Sequence, residues 1–426
     1  MYKVLEIRIN GFRNIFDTTI RLTNPITVLL APNNYGKTNV LQAIEFAATL
    51  VSEGFEQQEI MLKDNGYTSY NEFDEIEDEL KMSCVSFGIL YDFKEVKIDY
   101  SFRISPKFGV LNEKMTVGSK DVFTRKRDKE DINGDDLIDM EDSIAYISPF
   151  NLFASVFNDR DSMVTEYVDM TRKLFINMNN MFCNRESPYG SYSTKKNRDP
   201  SAIVDSILRL FQEDSDQYFK FRRAFLGLFK GEINSFEIYS VINRTKEVLP
   251  KLQYGFNKEE YKIDFSSSVY RAVDYRLEFD SSGRARLELF NDLSAGTQDI
   301  FLALLELFAK KGNPLVAIEE LENGIHPSLY RRVLGTIDAE CIDKRVLVTT
   351  HSPSVARHFS TKSFSSFYVG IPNSNRFATF AALDEYNQKK IEAKAALHGV
   401  SIGELIIDML SESEDSIDEL KGWLRV

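Results

Sequence analysis

The apolar run Ile26-Thr27-Val28-Leu29-Leu30 is followed at once by Ala31-Pro32-Asn33-Asn34-Tyr35-Gly36-Lys37-Thr38, and then by Val40, Leu41, Ile44, Ala47, Ala48 and Val51 at helical spacing. A short continuous apolar run bounded by turn residues reads as a buried strand, and the spacing after it predicts a helix. The eight residues between them match G-x-x-x-x-G-K-[ST] except that Ala31 takes the place of the first glycine. Strand, tight loop and helix form the context this pattern needs. Successive backbone N–H groups and the positive helix end then converge on one point and favour an anion. Asn33, Asn34, Gly36 and Asn39 fall in the same stretch as candidate nucleotide contacts. Lys37 is placed to reach β- and γ-phosphates, and Thr38 to ligate Mg²⁺. An ordinary strand-to-helix turn with a solvated lysine is the alternative. Ala31 is expected to disfavour the backbone angle that glycine supplies.

Three further segments carry chemistry. Glu319 and Glu320 follow the apolar strand Leu315-Val316-Ala317-Ile318. One carboxylate there can hold a metal's water shell, and the other can orient an attacking water, a role that needs an acceptor near the γ-phosphate. A solvated helix cap would look the same. Leu293-Ser294-Ala295-Gly296-Thr297-Gln298 precedes the helical set Ile300, Leu304, Leu305 and Phe308. A Ser and a Gly at a helix start make another anion nest, or a simple N-cap. Thr350-His351-Ser352-Pro353 ends a buried strand and holds one of only four histidines; His351 can hydrogen-bond a γ-phosphate or stand inert in its loop.

The order of the four segments is informative: the acid pair follows the LSAGTQ nest by about twenty residues, and the histidine comes about thirty later. That order resembles the ABC-type P-loop ATPases. The wording LSAGTQ, IEELENGIHP and VTTHSP is similar to bacterial AAA-type ATPases related to the OLD (overcoming lysogenization defect) and RecF proteins, as found in antiphage defence. The resemblance covers residues 1–50 and about 260–360. It implies an α/β fold, an ABC-type ATPase head with a mixed β-sheet flanked by helices and a helical insertion subdomain. It assigns Lys37 and Thr38 to Walker A, and Glu319 and Glu320 to Walker B with Glu319 and Thr38 on the metal and Glu320 catalytic. Ser294 and Gly296 become the signature, His351 the switch histidine, and Asn323 and His326 part of a D-loop-like segment. A Q-loop equivalent is expected near Ser148–Asn151. The departures are Ala31 for Gly and Glu319 where many relatives carry Asp. The implied cofactors are ATP and Mg²⁺, and the implied assembly is a head-to-tail homodimer or higher homo-oligomer that sandwiches two ATP molecules.

The expected layout is an N-terminal head part over 1–148, a helical insertion over 149–257, a C-terminal head part over 258–383 and a helical tail over 384–426. Strands are expected at 83–93 and 95–104, and a hairpin in DYRLEF-DSSG-RARLELF. The charged stretch 112–142 reads as an exposed loop, and its DINGDD does not fit a calcium loop because the glycine is misplaced. Residues 151–250 read as helical, interrupted by a loop at 184–200. The acidic tail before Trp423 reads as a solvated, frayed helix or as a docking segment.

Composition narrows the functions. With 43% hydrophobic and 27% charged residues, the 426-residue chain is folded, not disordered. Lys and Arg number 52 against 65 Asp and Glu, a net charge of −13, so DNA contact would need a local basic patch. Arg125–Lys129 and Lys195–Arg198 are the short candidates. Three scattered cysteines give neither a disulfide framework nor a zinc ribbon. Without an N-terminal signal peptide or an apolar membrane run, the expected compartment is a reducing cytoplasm, with no membrane. OLD-type relatives carry a nuclease domain after the ATPase, but only 75 residues follow His351. The expectation is therefore an ATPase that controls a separate effector such as a nuclease, and has no nuclease activity itself. The alternatives are a RecF-like DNA-repair ATPase and a nucleotide-binding scaffold with little turnover; a small-molecule kinase would need neither LSAGTQ nor the histidine.

Overall fold

The computed structural model describes residues 2–52, 58, 60–61, 67, 84–105, 109–126, 162–178, 200–242, 245–248, 274–283, 287–309, 314–322, 325–340, 344–359, 364–372 and 377–425. They divide into two compact units, one made of 1–191, 313–322 and 337–426, the other of 192–312 and 323–336.

The first unit holds two sheets. One is wholly antiparallel, with β1 (Tyr2–Asn10), β2 (Thr18–Arg21), β4 (Val85–Phe93), β5 (Val96–Ser105), β6 (Gly109–Val117) and β7 (Lys120–Lys126) in the order β2-β1-β4-β5-β6-β7. Lys94 and Glu95, both at positive φ (52° and 70°), close the β4–β5 hairpin, as a tight two-residue connection requires. Strands β6 and β7 correct the expectation of an exposed loop from 112 onward. Their charges are paired within the sheet: Lys114 Nζ lies 2.9 Å from Asp121 Oδ2, and buried Glu113 accepts from the Tyr100 hydroxyl at 2.8 Å. Residues 127–142, with DINGDD, lie outside the described residues.

The second sheet contains β3 (Ile26–Leu30), β12 (Leu315–Ile318), β13 (Arg345–Thr350), β14 (Phe367–Pro372), β15 (Ala378–Leu383) and β16 (Leu424–Arg425) in the order β12-β13-β3-β14-β15-β16. The first four are parallel, and β15 and β16 turn the other edge antiparallel. Every residue of β3, β12 and β13 is buried, which explains why these strands read as unbroken apolar runs. Helix α1 (Lys37–Ser52) is buried along most of its length and packs on α2 (Ser162–Met178), while Phe46 stacks on Tyr67 at 4.7 Å.

The C-terminal segment is not a frayed helix. Helices α7 (Pro353–Phe359), α8 (Gln388–His398), α9 (Ile402–Glu412) and α10 (Glu414–Lys421) end in β16, which pairs with β15, and Trp423 is buried. Gly403 of α9 rides on Ala356 of α7 so closely that a Cβ there would lie 2.2 Å from the alanine Cβ. The helix spacing Leu405, Ile406, Met409 and Leu410 supplies the buried stripe that makes docking favourable.

The second unit contains α3 (Pro200–Glu213), α4 (Ser215–Leu228), β8 (Ile233–Ile242), β9 (Thr245–Val248), β10 (Asp274–Ser281), β11 (Glu288–Leu289) and α5 (Ala295–Phe308), with sheet order β11-β10-β8-β9. Strands β8 and β9 correct the helical reading of 233–248; β8 pairs along nearly its whole length with β10. The β10–β11 pairing forms the expected hairpin. Phe301 of α5 lies 4.9–5.6 Å from the rings of Phe221, Phe225, Phe236, Phe279 and Phe290, and so forms the hub of an aromatic core. Helix α6 (Pro327–Glu340) opens on proline, which has no N–H to leave unsatisfied in a first turn.

Candidate functional site

Parallel pairing sets Val28 beside Val348 and Val348 beside Ile318. The carboxyl ends of β3, β13 and β12 therefore open at one edge, where ligands of parallel α/β sheets bind. Three loops far apart in sequence meet there: 31–37, 319–322 and 351–352.

In the first loop Asn34 and Gly36 are left-handed, with φ of 66° and 93°. Gly36 has a further reason to be glycine, since a Cβ would lie 2.7 Å from Asn14 Oδ1 and 2.8 Å from Ile15 Cδ1. Ala31, by contrast, is not at positive φ among the described residues. The missing first glycine costs no backbone strain, which corrects the expectation for this position. Ala31 is fully buried and faces Gly370 of β14, where a Cβ would come within 2.9 Å of its own.

Lys37 is buried at the start of α1, and its ammonium donates to the carbonyls of Ala31 at 2.7 Å and Pro32 at 3.0 Å. Burial lowers its pKa, against the opposing pull of Glu320, Glu322 and Glu319. The Thr38 hydroxyl donates to Glu319 Oε1. Glu320 has a φ of 47°, a conformation that costs a side-chain-bearing residue about 1 kcal/mol or more. The bend is held by its N–H on Thr349 Oγ1 at 2.9 Å and by buried Leu321, whose N–H reaches Thr349 O at 3.4 Å. His351 Nδ1 lies 3.8 Å from Glu320 Oε1 and 3.0 Å from Glu322 Oε1. Glu322 also accepts from the Thr350 hydroxyl at 3.0 Å and from the His351 backbone N–H at 2.8 Å.

Of the sequence candidates, Gly36, Lys37, Thr38, Glu319, Glu320 and His351 thus gather at one sheet edge. Asn33 and Asn34 are exposed on the loop. The Asn39 side chain instead turns to the β1–β2 connection, donating to Asn14 Oδ1 at 2.7 Å and accepting from Arg13 Nη1 at 3.1 Å. Ser294 and Gly296 belong to the other unit, where Ser294 caps α5 by accepting from the Thr297 N–H at 3.2 Å. His326 is exposed there as well. Asn323 and the Q-loop region 148–151 lie outside the described residues, as does most of the two basic clusters. Sequence reasoning missed Glu322 and the Arg13–Asn14 pair. The third acid of Glu319-Glu320-Leu321-Glu322 was the available signal for the former.

The donor set suits a hard dication. A hydroxyl and a carboxylate meet at Thr38 and Glu319, and among the described residues no three or more His, Cys, Asp or Glu side chains cluster as a metal cage. A metal here would be completed by phosphate and water oxygens, the habit of Mg²⁺.

Residues 26–357 match the family described as "AAA domain, putative AbiEii toxin, Type IV TA system". The chain belongs to this family. The matched region is an AAA-type ATPase domain, and the expected α/β architecture, a mixed β-sheet flanked by helices, is the fold found. Solved structures with a similar fold include the SMC head domain from Thermotoga maritima, at 9% identity and a TM-score of 0.45, covering 90% of this chain and 99% of that one. Another is the Pyrococcus furiosus Smc head with an extended coiled coil bound to the C-terminal domain of ScpA, at 11% identity and 0.47, covering 93% and 100%. The Pyrococcus yayanosii Smc head with a coiled coil and joint gives 10% and 0.46 over the same shares. No curated protein matches the chain. Among the described residues no helix is long and apolar enough to cross a membrane.

Proposed function

We propose that this AAA-family chain binds ATP with Mg²⁺ at the β3–β13–β12 edge, hydrolyses it, and uses the nucleotide state to control a separate effector protein in antiviral defence. The observation that carries this reading is the convergence of Lys37, Thr38–Glu319, Glu320 and His351 from three distant loops onto one edge. In this reading the amides of 33–36 and the Lys37 ammonium receive phosphate oxygens, and Thr38 and Glu319 hold the metal. Mg²⁺ supplies neutralisation of charge on the β- and γ-oxygens. Glu320, pinned in its bend, orients the attacking water, and His351 stands beside it. Nucleotide would replace the loop carbonyls now capping Lys37.

Ser294 and Gly296 are read as completing the site of a second copy in a head-to-tail homo-oligomer. The family description, which names a toxin–antitoxin system, supports an output on another component of the cell rather than on a small-molecule acceptor. The reading places the protein in the cytoplasm, and gives it no nuclease activity of its own.

The decisive experiment is single-turnover hydrolysis by the purified chain with Mg²⁺. Lys37→Ala is expected to abolish nucleotide binding. Glu320→Gln should bind ATP and lose about 100-fold or more in turnover, some 2.7 kcal/mol of barrier. Parent-like turnover in Glu320→Gln would remove Glu320 from the water-orienting role. Ser294→Arg should leave binding to one subunit intact and stop ATP-dependent assembly in light scattering; unchanged assembly would return Ser294 to the role of a helix cap.

A further inference from the structure

Nδ1 of His351 is buried, although the side chain as a whole is 38% exposed. The nearest charged oxygens to this nitrogen are carboxylate: Glu322 Oε1 at 3.0 Å and Glu320 Oε1 at 3.8 Å. Nδ1 makes no regular hydrogen bond to either oxygen, so the approach to Glu322 is a charge contact. Ionised carboxylates only accept. A lone pair on Nδ1 would face negative charge in a buried place, whereas a proton there is attracted by both acids. Glu322 is itself held. Its Oε1 takes the Thr350 hydroxyl at 3.0 Å and the His351 N–H at 2.8 Å, which fixes the carboxylate relative to the backbone that carries the ring. The two loops belong to neighbouring parallel strands, β12 and β13, so the contact is built into the sheet register.

We propose that Glu322 is a positioning residue for His351: it holds the Nδ1 proton, so the neutral ring carries its lone pair on Nε2. The inference rests on the ATPase reading for its consequence, but not for its geometry. A neutral His351 can then take a proton at Nε2 and cannot give one. Once Nε2 is protonated, the imidazolium has the Glu322 carboxylate as its fixed counter-charge, the same division of labour as in an acid–histidine pair that serves a nucleophile.

The test is nitrogen-15 NMR of histidine-labelled protein at alkaline pH, where the rings are neutral. The chain has four histidines, and His351→Gln assigns the relevant signal. In the parent, the His351 proton is expected on Nδ1. Glu322→Met, an apolar replacement of similar length, should move it to Nε2, and Glu322→Gln should keep it on Nδ1 because the amide oxygen still accepts. In parallel, single-turnover hydrolysis should fall about 10–100-fold in Glu322→Met with ATP affinity little changed, and Glu322→Gln should recover most of the loss. A parent ring protonated on Nε2 overturns the proposal, as does a tautomer indifferent to Glu322→Met. Should Glu322→Met fail to fold, the parent tautomer still decides. A parent that hydrolyses no ATP yet shows the Nδ1 proton defeats the functional reading and leaves this one standing.

Discussion

The sheet edge around Lys37 and the core around Phe301 are built on opposite principles. At the edge, charged groups from three loops crowd together, Lys37 is buried against its preference, and Asn34, Gly36 and Glu320 all hold positive φ. Around Phe301, five aromatic rings pack edge to face on one central ring, and in the same unit Ser294 of LSAGTQ caps the helix that carries it while Gln298 donates to the Leu293 carbonyl. Strain and desolvation accumulate where chemistry is proposed, and apolar packing accumulates where a segment has only to be presented rigidly. In the proposed reading, the difference separates a place that reacts from a place that displays.

The largest expected effect lies in the aromatic core. Phe301→Ala removes the hub ring and should destabilise the second unit by about 3–5 kcal/mol, seen as a lowered or additional thermal transition in calorimetry. A loss under about 1 kcal/mol would mean that the core closes around the gap, and the contrast with the sheet edge would weaken. Next comes the loop. Gly36→Ala forces a Cβ onto Asn14 and Ile15 at a φ that suits glycine, so a cost of about 1–3 kcal/mol and loss of nucleotide binding are expected. Binding at parent affinity, measured by titration calorimetry, would show that the loop does not depend on its strained form.

The smallest effects compare two helix caps. Ser294→Ala should cost about 1 kcal/mol, independent of pH, because a hydroxyl caps α5. Glu404 of the Ser401 capping box behaves differently: hydrogen bonds from Ser401, and then Arg357, hold its pKa below the ordinary carboxylate value. A lowered carboxylate pKa adds stability that is present above the unfolded-state value and lost as pH falls through the folded one. Glu404→Gln should therefore cost a few tenths of a kcal/mol near pH 7 and almost none at pH 3. Urea denaturation at the two pH values checks this; a cost that persists at pH 3 would assign the effect to geometry and not to charge.

Much of this was legible before any fold was known. Ile26–Leu30 and Leu315–Ile318 lack polar interruptions because both faces are covered, and Gly36-Lys37-Thr38 is readable because a helix must start where the amides point. The misreadings have physical causes too. In β6 and β7 the charges mask a strand pattern, because Lys114 and Glu113 are satisfied by Asp121 and Tyr100 across the sheet. The tail looked solvated because its acids are exposed, while the Leu405–Leu410 stripe, the close seat of Gly403 on Ala356 and buried Trp423 fix it in place.

The local code, by itself, determined the glycine-bearing loop before α1, the acids after one strand and the histidine after another, since each depends on neighbours within a few residues. Which of these would touch was decided only by the order β12-β13-β3, which no stretch of sequence contains. Parallel strands are joined by long connections, so their adjacency is a property of the whole core and not of any loop. That adjacency brings Thr38 to Glu319 and Glu322 to His351. A hydrogen bond between residues 29 apart, such as that from the His351 backbone N–H to the Glu322 carboxylate, has no local signature, because its geometry is set by the pairing of the two strands that carry the residues.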